Sequence, residues 1–382
     1  MTTPDEFGPL REKPFSDALE KLDGLLAQRG MALLLGAGCS RSAGLPQMVD
    51  LTEQTLASDV LSAMTKTMLT GIEKFFVGAP DANIEDYLSE LIDLLAIADR
   101  REVRRADRRA ASIDGVEYPA TQLRDAVEEI KRGIQKIVDV PVPIDAHRRF
   151  VRAVHRPLRP GASAADQPVD YVVLNYDTLI EDALAMEQIP FADGLEGGAT
   201  GWWRPQTFDR SGLKARVFKM HGSISWQEIE GDPLPRRVAR SVEQPNSNGR
   251  RVMIWPASTK YRETQVDPYA QLTDHVRGLL RTDGRSDRVL LVCGYRFGDS
   301  HINLEIDRAL RDSDGRLTVV VFTSEHGPTS QVSAWNQDLR VHEQVLVFAK
   351  RGFFHGRDVQ PSTVDLPWWK FENVTRLLEG ER

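Results

Sequence analysis

The sequence is poor in cysteine and has no long apolar run. Its 382 residues include only two cysteines, which excludes a disulfide scaffold and a structural zinc site built from three or four cysteines. No apolar run approaches the roughly 20 residues that a membrane-spanning helix needs. The chain does not begin with a basic segment followed by an apolar one. We therefore predict no secretory signal, no membrane contact and a cytoplasmic location.

Basic residues are in the minority. Lys and Arg number 49 against 56 Asp and Glu, which gives a formal charge of −7. This balance disfavours a protein that coats nucleic acid by bulk charge, so direct nucleic-acid binding is not expected. The hydrophobic share of 41% is ordinary for a soluble globular protein. The length suits one large domain or two modest ones.

Short apolar, β-branched runs bounded by turn residues recur along the chain, and helical patterns follow most of them. Such alternation is typical of an α/β fold with a parallel sheet covered by helices on both faces. We predict a Rossmann-like, doubly wound sheet with a helical insertion subdomain. The predicted strands are 31–35, 169–175, 216–222, 251–256, 288–294, 317–322 and 344–353.

The pattern between the first two strands is helical and too long for a simple crossover. Asn83, for example, is a plausible N-cap before apolar residues at helical spacing. We predict four segments. Residues 1–50 hold an N-terminal arm, a helix and the first strand, 51–165 the helical insertion, and 166–350 the rest of the nucleotide-binding domain. Residues 351–382 form a tail that is a candidate assembly contact.

Gly36-Ala37-Gly38-Cys39-Ser40 follows the first strand directly. Glycines let a backbone approach a ligand closely, and the amides at the next helix start can face an anion such as a dinucleotide pyrophosphate. The spacing is neither G-x-G-x-x-G nor a P-loop. The alternative is that the glycines only make a tight strand-to-helix turn.

Polar residues follow two later strands. Asn175 and Asp177 come after 169–174, and His221 comes after 216–220. In an open α/β sheet the ligand crevice lies at the carboxyl ends of the strands, where an amide could hold a ribose hydroxyl and a histidine could act as a base. Each also has a plain structural reading, with Asp177 or Asn175 capping the next helix and His221 as a hydrogen-bonded core residue.

Four motifs taken in order resemble the sirtuin-like superfamily, and more narrowly the bacterial sirtuin-like domains of antiphage defence. They are GAGCSRSAGLP, LNYDTLIEDAL, KMHGSISW and CGYRFGDSHIN, and they cover about 31–50 and 169–325. The resemblance implies an NAD+ hydrolase that releases nicotinamide and ADP-ribose. NAD is then the substrate, and no metal is expected.

The resemblance also implies residue roles. Ala37, Gly38 and Ser40 would lie along the NAD phosphates, with Gly36 shaping the turn and Cys39 inside it. Asn175 would position the ribose and the attacking water. The remaining assignments are Asp177 as the acid of the same element, His221 with Gly222 as the catalytic histidine motif, and Gly294 on the adenosine side.

Other residues have competing readings. Tyr295, Phe297 and Asp299 could line an adenosine pocket, whereas we assign His301 and Asn303 to the start of the next helix. We interpret His147 and His155 as structural or exposed, and Lys260 and Asp267 as surface residues. The arginines between 100 and 109 recur as if on one helix face. That face is either solvated and paired with Asp99, Glu102 and Asp107, or it contacts an acidic partner, a nucleic acid or another protomer.

The chain departs from protein-deacylating sirtuins at two points. Leu45-Pro46 is followed by Gln47-Met48-Val49 rather than Asp-Phe-Arg, and the chain cannot build their four-cysteine zinc module. Deacylation is therefore the least favoured activity, behind a sensor that binds NAD or ADP-ribose without turnover. Resemblance to compact relatives implies a homo-oligomer and a separately encoded trigger such as a HerA-type hexameric ATPase.

Overall fold

The computed structural model describes residues 5–27, 30–79, 82–106, 109–156, 168–229, 232–238, 251–254, 267–282 and 287–381. The strands within these ranges are β1 Met31–Leu35, β2 Ala111–Ile113, β3 Val116–Tyr118, β4 Val169–Val173, β5 Phe191–Ala192, β6 Leu195–Gly197, β7 Gly201–Trp203, β8 Ala215–Lys219, β9 Gly222–Ile229, β10 Asp232–Arg237, β11 Arg251–Ile254, β12 Arg288–Cys293, β13 Leu317–Thr323, β14 Val345–Ala349, β15 Gly352–His355 and β16 Asp358–Pro361.

Helices lie between these strands and at both ends of the chain. They are α1 Phe15–Leu26, α2 Ala37–Ser40, α3 Met48–Leu56, α4 Ala63–Glu73, α5 Ile84–Val103, α6 Ala120–Val138, α7 Asp145–His155, α8 Leu179–Met186, α9 Tyr269–Leu280, α10 Ser300–Asp312, α11 Ser330–Gln337 and α12 Phe371–Leu378. No helix in the described parts of the chain is both long and apolar enough to cross a membrane.

The main sheet confirms the predicted doubly wound α/β fold. Its order is β16-β15-β14-β13-β12-β1-β4-β8-β5, and the pairs from β14 across to β5 are parallel. Leu33 of β1 lies between Leu291 and Tyr171 in register. From β1 the chain continues to β4 and β8 on one side and later returns to β12 on the other. The crevice of such a sheet therefore lies at the carboxyl ends of β1 and β12.

Apolar cores fill both faces of this sheet. Helices α1, α7, α8 and α12 pack on one face, and α9, α10 and α11 pack on the other. The continuous apolar runs of the central strands are explained by this burial on both sides. Trp368, in the segment predicted as a tail, is fully buried against Phe348.

Three of the strands predicted from the sequence have other ends or other pairing partners in the structure. The run 344–353 is not one strand, because the chain reverses before Gly352 (φ 155°) into β15, which pairs antiparallel with β14. The run 216–222 likewise stops at Lys219, and Gly222 (φ 81°) begins the strand β9. Glycine allows both the reversal before Gly352 and the strand break at Gly222, because it adopts positive φ without a Cβ clash.

The strand predicted at 251–256 does not join the parallel sheet. Its described part, β11, pairs antiparallel with β9 in a second sheet of order β11-β9-β10-β7-β6. Because β8 continues straight into β9, the strands that follow pair with β9 rather than cross over to the main sheet. Residues 255 and 256 lie outside the described ranges.

The insertion has a core of its own, formed mainly by α3 to α6 and the hairpin β2–β3. Asn83 caps α5 as predicted, in a capping box with Asp86. The hairpin was not predicted, although Asp114-Gly115 at its turn, both at positive φ, is a strong hairpin signal.

The predicted arginine face is wrong beyond Val103. Helix α5 ends there, and Arg105 is left-handed (φ 52°), so the later arginines do not extend a helical stripe. Asp99 pairs with Arg124 of α6, at 2.7 Å. Arg101 donates to the Ala110 carbonyl, 2.6 Å away, and so helps fix the loop that enters β2. Residues 107 and 108 lie outside the described ranges.

Candidate functional site

The glycine turn after β1 is packed against the chain that leaves β12. The Gly36 N–H donates to the Cys293 carbonyl and the Gly38 N–H donates to the Gly294 carbonyl, both at 3.0 Å. A Cβ on Gly36 would lie 2.5 Å from the Gly294 oxygen, and one on Gly38 would lie 2.7 Å from the Gly294 Cα. The two glycines are therefore required for the close approach of two strand ends.

Only part of this turn reaches the surface. Ala37 is exposed and Gly38 half-buried, whereas Gly36, Cys39 and Ser40 are buried. The Cys39 thiol donates to the Cys293 carbonyl at 3.2 Å, and burial raises the pKa of this thiol well above its usual value. Of the residues predicted to bind the NAD phosphates, Ala37 and Gly38 are the ones that reach the surface, and the Gly38 N–H is already donated to the Gly294 carbonyl.

We expect Gly36→Ala to destabilise the protein by about 1–3 kcal/mol, because the new methyl group must push the ends of β1 and β12 apart. Gly24→Ala in α1 is the matched control. A Cβ there meets nothing within 4 Å, and replacing a helical glycine should stabilise by about 0.5–1 kcal/mol. Urea unfolding measures both. A Gly36→Ala variant as stable as the wild type would contradict this account of the turn.

Asn175 is fixed to the glycine turn through its amide nitrogen. Its Nδ2 donates to the Ser40 Oγ at 2.6 Å and to the Gly36 carbonyl at 3.1 Å. Ser40 in turn donates to Asp177 Oδ2 at 2.6 Å. The other oxygen of Asp177 accepts from the Leu179 N–H at 3.1 Å, so the carboxylate also shapes the entry to α8. Among the described residues the Asn175 Oδ1 has no hydrogen-bond partner, and the residue is half-buried.

The insertion reaches this site through Tyr176. The Tyr176 hydroxyl donates to Glu85 Oε1 in the first turn of α5. Burial, together with Glu85, raises the pKa of the Tyr176 phenol well above its usual value. The side chain of Gln135 from α6 also donates to the Ile224 carbonyl in β9, at 3.3 Å. These contacts tie the insertion to the segments that carry Asn175 and His221.

A buried ion pair lies beneath the Asn175–Asp177 segment. Lys219, at the end of β8, is 0% exposed. Its Nζ donates to the Asp177 backbone carbonyl and lies 3.2 Å from Glu181 Oε1 in α8. Burial raises the pKa of Glu181 to about 7 against the opposing effect of Lys219, with a further increase from Asp193 and Asp177. This pair was not predicted from the sequence, although a lysine at the end of an apolar strand is a signal for it.

His147 of α7 is buried on the other side of the turn. Its ring packs on Phe371 with centroids 4.9 Å apart. Burial lowers its pKa to about 4, against the opposing effects of Asp177 and of a hydrogen bond to the Cys39 backbone. The structural reading of His147 is therefore confirmed. His155, also predicted to be structural or exposed, forms a hydrogen bond with the Tyr171 hydroxyl at 3.0 Å.

Glu181 and His147 should give stability opposite dependences on pH. The Glu181 pKa is raised in the fold, so its contribution is complete below about pH 4.5 and is lost as pH rises through about 7. The His147 pKa is lowered, so its contribution is complete above about pH 6.5 and is lost as pH falls through about 4. The two dependences partly cancel in the wild type.

Single variants expose each dependence separately. The quantity to follow is the difference in unfolding free energy, wild type minus Glu181→Gln. It should fall by up to about 3 kcal/mol between pH 5 and pH 7.5. The same difference taken with His147→Gln should rise. Guanidinium unfolding at the two pH values measures both. A difference that rises for Glu181→Gln would overturn the assignment of a raised pKa.

His221 lies in the turn between β8 and β9 and is 4% exposed. Its Nε2 is 3.7 Å from Asp299 Oδ1. Its ring centroid is 6.5 Å from that of Tyr176 and 6.3 Å from that of His301. Asp299 thus faces the histidine motif, whereas sequence reasoning considered it only for an adenosine pocket. A carboxylate at this distance can stabilise positive charge on the imidazole.

Tyr295 and Phe297 have their rings in the core. The Tyr295 hydroxyl donates to Asn303 Oδ1 at 3.0 Å and accepts from the Asp299 N–H at 3.1 Å. Asn303 Nδ2 donates to the Phe297 carbonyl at 2.7 Å, and the Phe297 ring packs on Trp335. Both aromatic residues thus fix the loop from Gly294 to Asp299. His301 and Asn303 lie in α10 as predicted.

Two further residues, Lys260 and Asp267, were predicted to lie at the surface. Lys260 lies outside the described ranges. Asp267 accepts from Gln271 Nε2 at 2.6 Å at the start of α9.

Comparison with known proteins bears on the domain that carries Asn175 and His221. Residues 170–342 match the family described as the SIR2-like domain. This part of the chain is therefore similar to a SIR2-like domain. This confirms the sirtuin-like resemblance for that part of the chain, and the glycine turn after β1 lies outside the matched range. No curated protein sequence matches the chain.

Solved structures of sirtuins resemble the chain at low identity. Sir2Tm bound to a propionylated peptide is 13% identical with a TM-score of 0.39, covering 95% of this chain and 99% of that one. Sir2 bound to an acetylated peptide is 12% identical with a TM-score of 0.39, and the match covers 95% of this chain and 99% of that one. A complex of a Sir2 homologue with NAD is 13% identical with a TM-score of 0.37, and the match covers 82% of this chain and 85% of that one.

Proposed function

We propose that the SIR2-like domain hydrolyses NAD+ at the nicotinamide–ribose bond. One observation supports this above the others. The glycine turn, Asn175 and His221 follow the adjacent strands β1, β4 and β8 at the same edge of the sheet. Asn175 is hydrogen-bonded to the turn, and its neighbour Tyr176 faces His221. Reactive groups at the carboxyl edge of a doubly wound sheet are where a nucleotide would meet them.

The chemistry suits these groups. The pyridinium of NAD+ leaves with the electron pair of the C–N bond and becomes neutral nicotinamide, so it needs no protonation. The ribosyl centre acquires oxocarbenium-like character, as in glycoside hydrolysis. Water then forms the new C–O bond to the anomeric carbon and gives up a proton, which His221 accepts. The Oδ1 of the half-buried Asn175 is a suitable acceptor for the water or a ribose hydroxyl.

The binding of the pyrophosphate is assigned to the exposed part of the turn. Ala37 and Gly38 are the accessible residues of Gly36–Ser40, and they lie where the strand order reverses. Ser40 is instead a positioning residue, since its hydroxyl connects Asn175 to Asp177. Gly294 is half-buried against Gly38 and is assigned to the adenosine side.

Depletion of NAD by such an enzyme fits antiphage defence, where cleavage must stay silent until a trigger acts. We assign the trigger to a separate partner, with a HerA-type hexameric ATPase as the candidate and a homo-oligomer of this chain as the responding form. The resemblance supports this assignment. The insertion could transmit the binding of the partner to the catalytic residues. Tyr176 and Gln135 connect it directly to the catalytic segments.

Incubation of the purified chain with NAD+, alone and with its partner, tests the proposal through chromatography of the products. We expect nicotinamide and ADP-ribose in equal amounts. Binding of NAD+ without any nicotinamide would favour the sensor. Formation of O-acetyl-ADP-ribose with an acetylated peptide would favour the deacylase instead.

A further inference from the structure

Three side chains that bind metals well in proteins converge beside the proposed catalytic histidine. His221 comes from the β8–β9 turn, Asp299 directly precedes α10, and His301 lies in its first turn. One ring nitrogen of each histidine and one carboxylate oxygen all lie within 4.8 Å of one another. In the sequence His221 is far from the other two, so their spacing does not predict a metal site.

The distances suit a shared ion better than a direct hydrogen bond. His221 Nε2 and Asp299 Oδ1 are 3.7 Å apart, longer than the roughly 2.7–3.2 Å of a good N–H···O bond. Ligands about 2.0–2.2 Å from a tetrahedral zinc ion are about 3.3–3.5 Å from each other. His221 and Asp299 therefore need almost no movement. His301, which is half-buried, lies within 4.8 Å of both and needs a shift of at most about 1.5 Å.

Hydrogen bonds also fix the loop that carries Asp299. The Tyr295 hydroxyl accepts from the Asp299 N–H. Asn303 of α10 donates to the Phe297 carbonyl and so fixes the same loop to the helix. Supporting hydrogen bonds of this kind fix the orientation of ligands before the metal arrives.

We propose that His221, Asp299 and His301 form an inhibitory binding site for a divalent transition metal, with Zn²⁺ the best fit. Two imidazoles and one carboxylate match zinc in ligand type and leave a fourth position for water. The ion would occupy Nε2 of His221 and so remove the group that accepts the proton. The inhibitory half of this inference rests on the proposed NAD+ hydrolysis, whereas the binding site does not.

Calorimetric titration of the metal-free full chain with ZnCl₂ tests the site without any assay of activity. His355→Ala is the matched control, because His355 Nε2 lies at the same 3.7 Å from a carboxylate oxygen, that of Glu343, on another part of the molecule. We expect one zinc ion per chain, at least tenfold weaker binding for His301→Ala and unchanged binding for His355→Ala. Unchanged affinity in His301→Ala, or no zinc binding by the wild type, would overturn the proposal.

A second arm measures nicotinamide release with and without ZnCl₂, each variant relative to its own zinc-free rate. The wild type and His355→Ala should be inhibited, and His301→Ala should resist. If zinc binds as described but the chain releases no nicotinamide at all, the proposed hydrolysis fails and the metal site stands. If nicotinamide is released and zinc does not bind, the site fails alone.

Discussion

His221→Ala should lower the rate of nicotinamide release from NAD+ by about 10²–10⁴-fold, the usual contribution of a positioned base. Affinity for NAD+ should change only a few-fold, because the accessible backbone of Ala37 and Gly38 is untouched. The rate is measured by chromatography and the affinity by calorimetry. This separation of turnover from binding is what a base, rather than a binding residue, predicts.

His326→Ala is the control, since His326 is an exposed histidine on the loop after β13. It should keep the wild-type rate. If His221→Ala cleaves NAD+ as fast as this control, His221 is not the base. If both rate and affinity fall together with the circular dichroism signal, the variant has lost the fold, and His221→Gln is the replacement to measure.

Lys219→Met should destabilise the protein by about 3–5 kcal/mol above pH 7, the cost of leaving one member of a buried ion pair without its partner. The variant removes the Nζ that contacts both Glu181 Oε1 and the Asp177 carbonyl. Below pH 7 the loss should be smaller, because Glu181, with its raised pKa, can then be neutral. Guanidinium unfolding at pH 5.5 and pH 8 measures the effect.

The double variant Lys219→Met/Glu181→Leu should regain most of the lost stability, because apolar residues can replace a buried pair at little cost. Lys136→Met is the comparison at the surface. Lys136 pairs with Asp59 at 2.7 Å, but both side chains are largely exposed, so no measurable change is expected. Strictly additive effects in the double variant would show that Lys219 and Glu181 do not interact.

The parts of the fold that the sequence predicts are those set by local pattern. The strands β1, β4 and β12 are apolar because both faces of the sheet are covered. Asn83 and Asp86, three residues apart, form the capping box of α5. The missed features involve turns within apolar runs. Gly352 reverses the chain and Gly222 begins a new strand, both inside stretches that resemble single strands. The positive φ angles that allow these changes cannot be read from the sequence.

The candidate site divides in the same way. The residue types at the strand ends can be predicted from the motifs, and the structure brings Asn175 into contact with the glycine turn. The partners of those residues cannot be predicted, because they come from distant segments. Gly294 is what makes Gly36 and Gly38 necessary, Glu181 is what allows Lys219 to be buried, and Asp299 faces His221 only after α10 has packed.

The most direct test of the central claim is a parallel time course of NAD+ consumption by the wild type and by Asn175→Ala. Asn175 connects the glycine turn to the reacting edge of the sheet. The residue is half-buried and is not part of a hydrophobic core, so its substitution leaves the cores intact. We predict equal amounts of nicotinamide and ADP-ribose from the wild type and neither from Asn175→Ala, with identical circular dichroism spectra. No nicotinamide from the wild type in any oligomeric or partnered form, or the same rate from both proteins, would contradict the account.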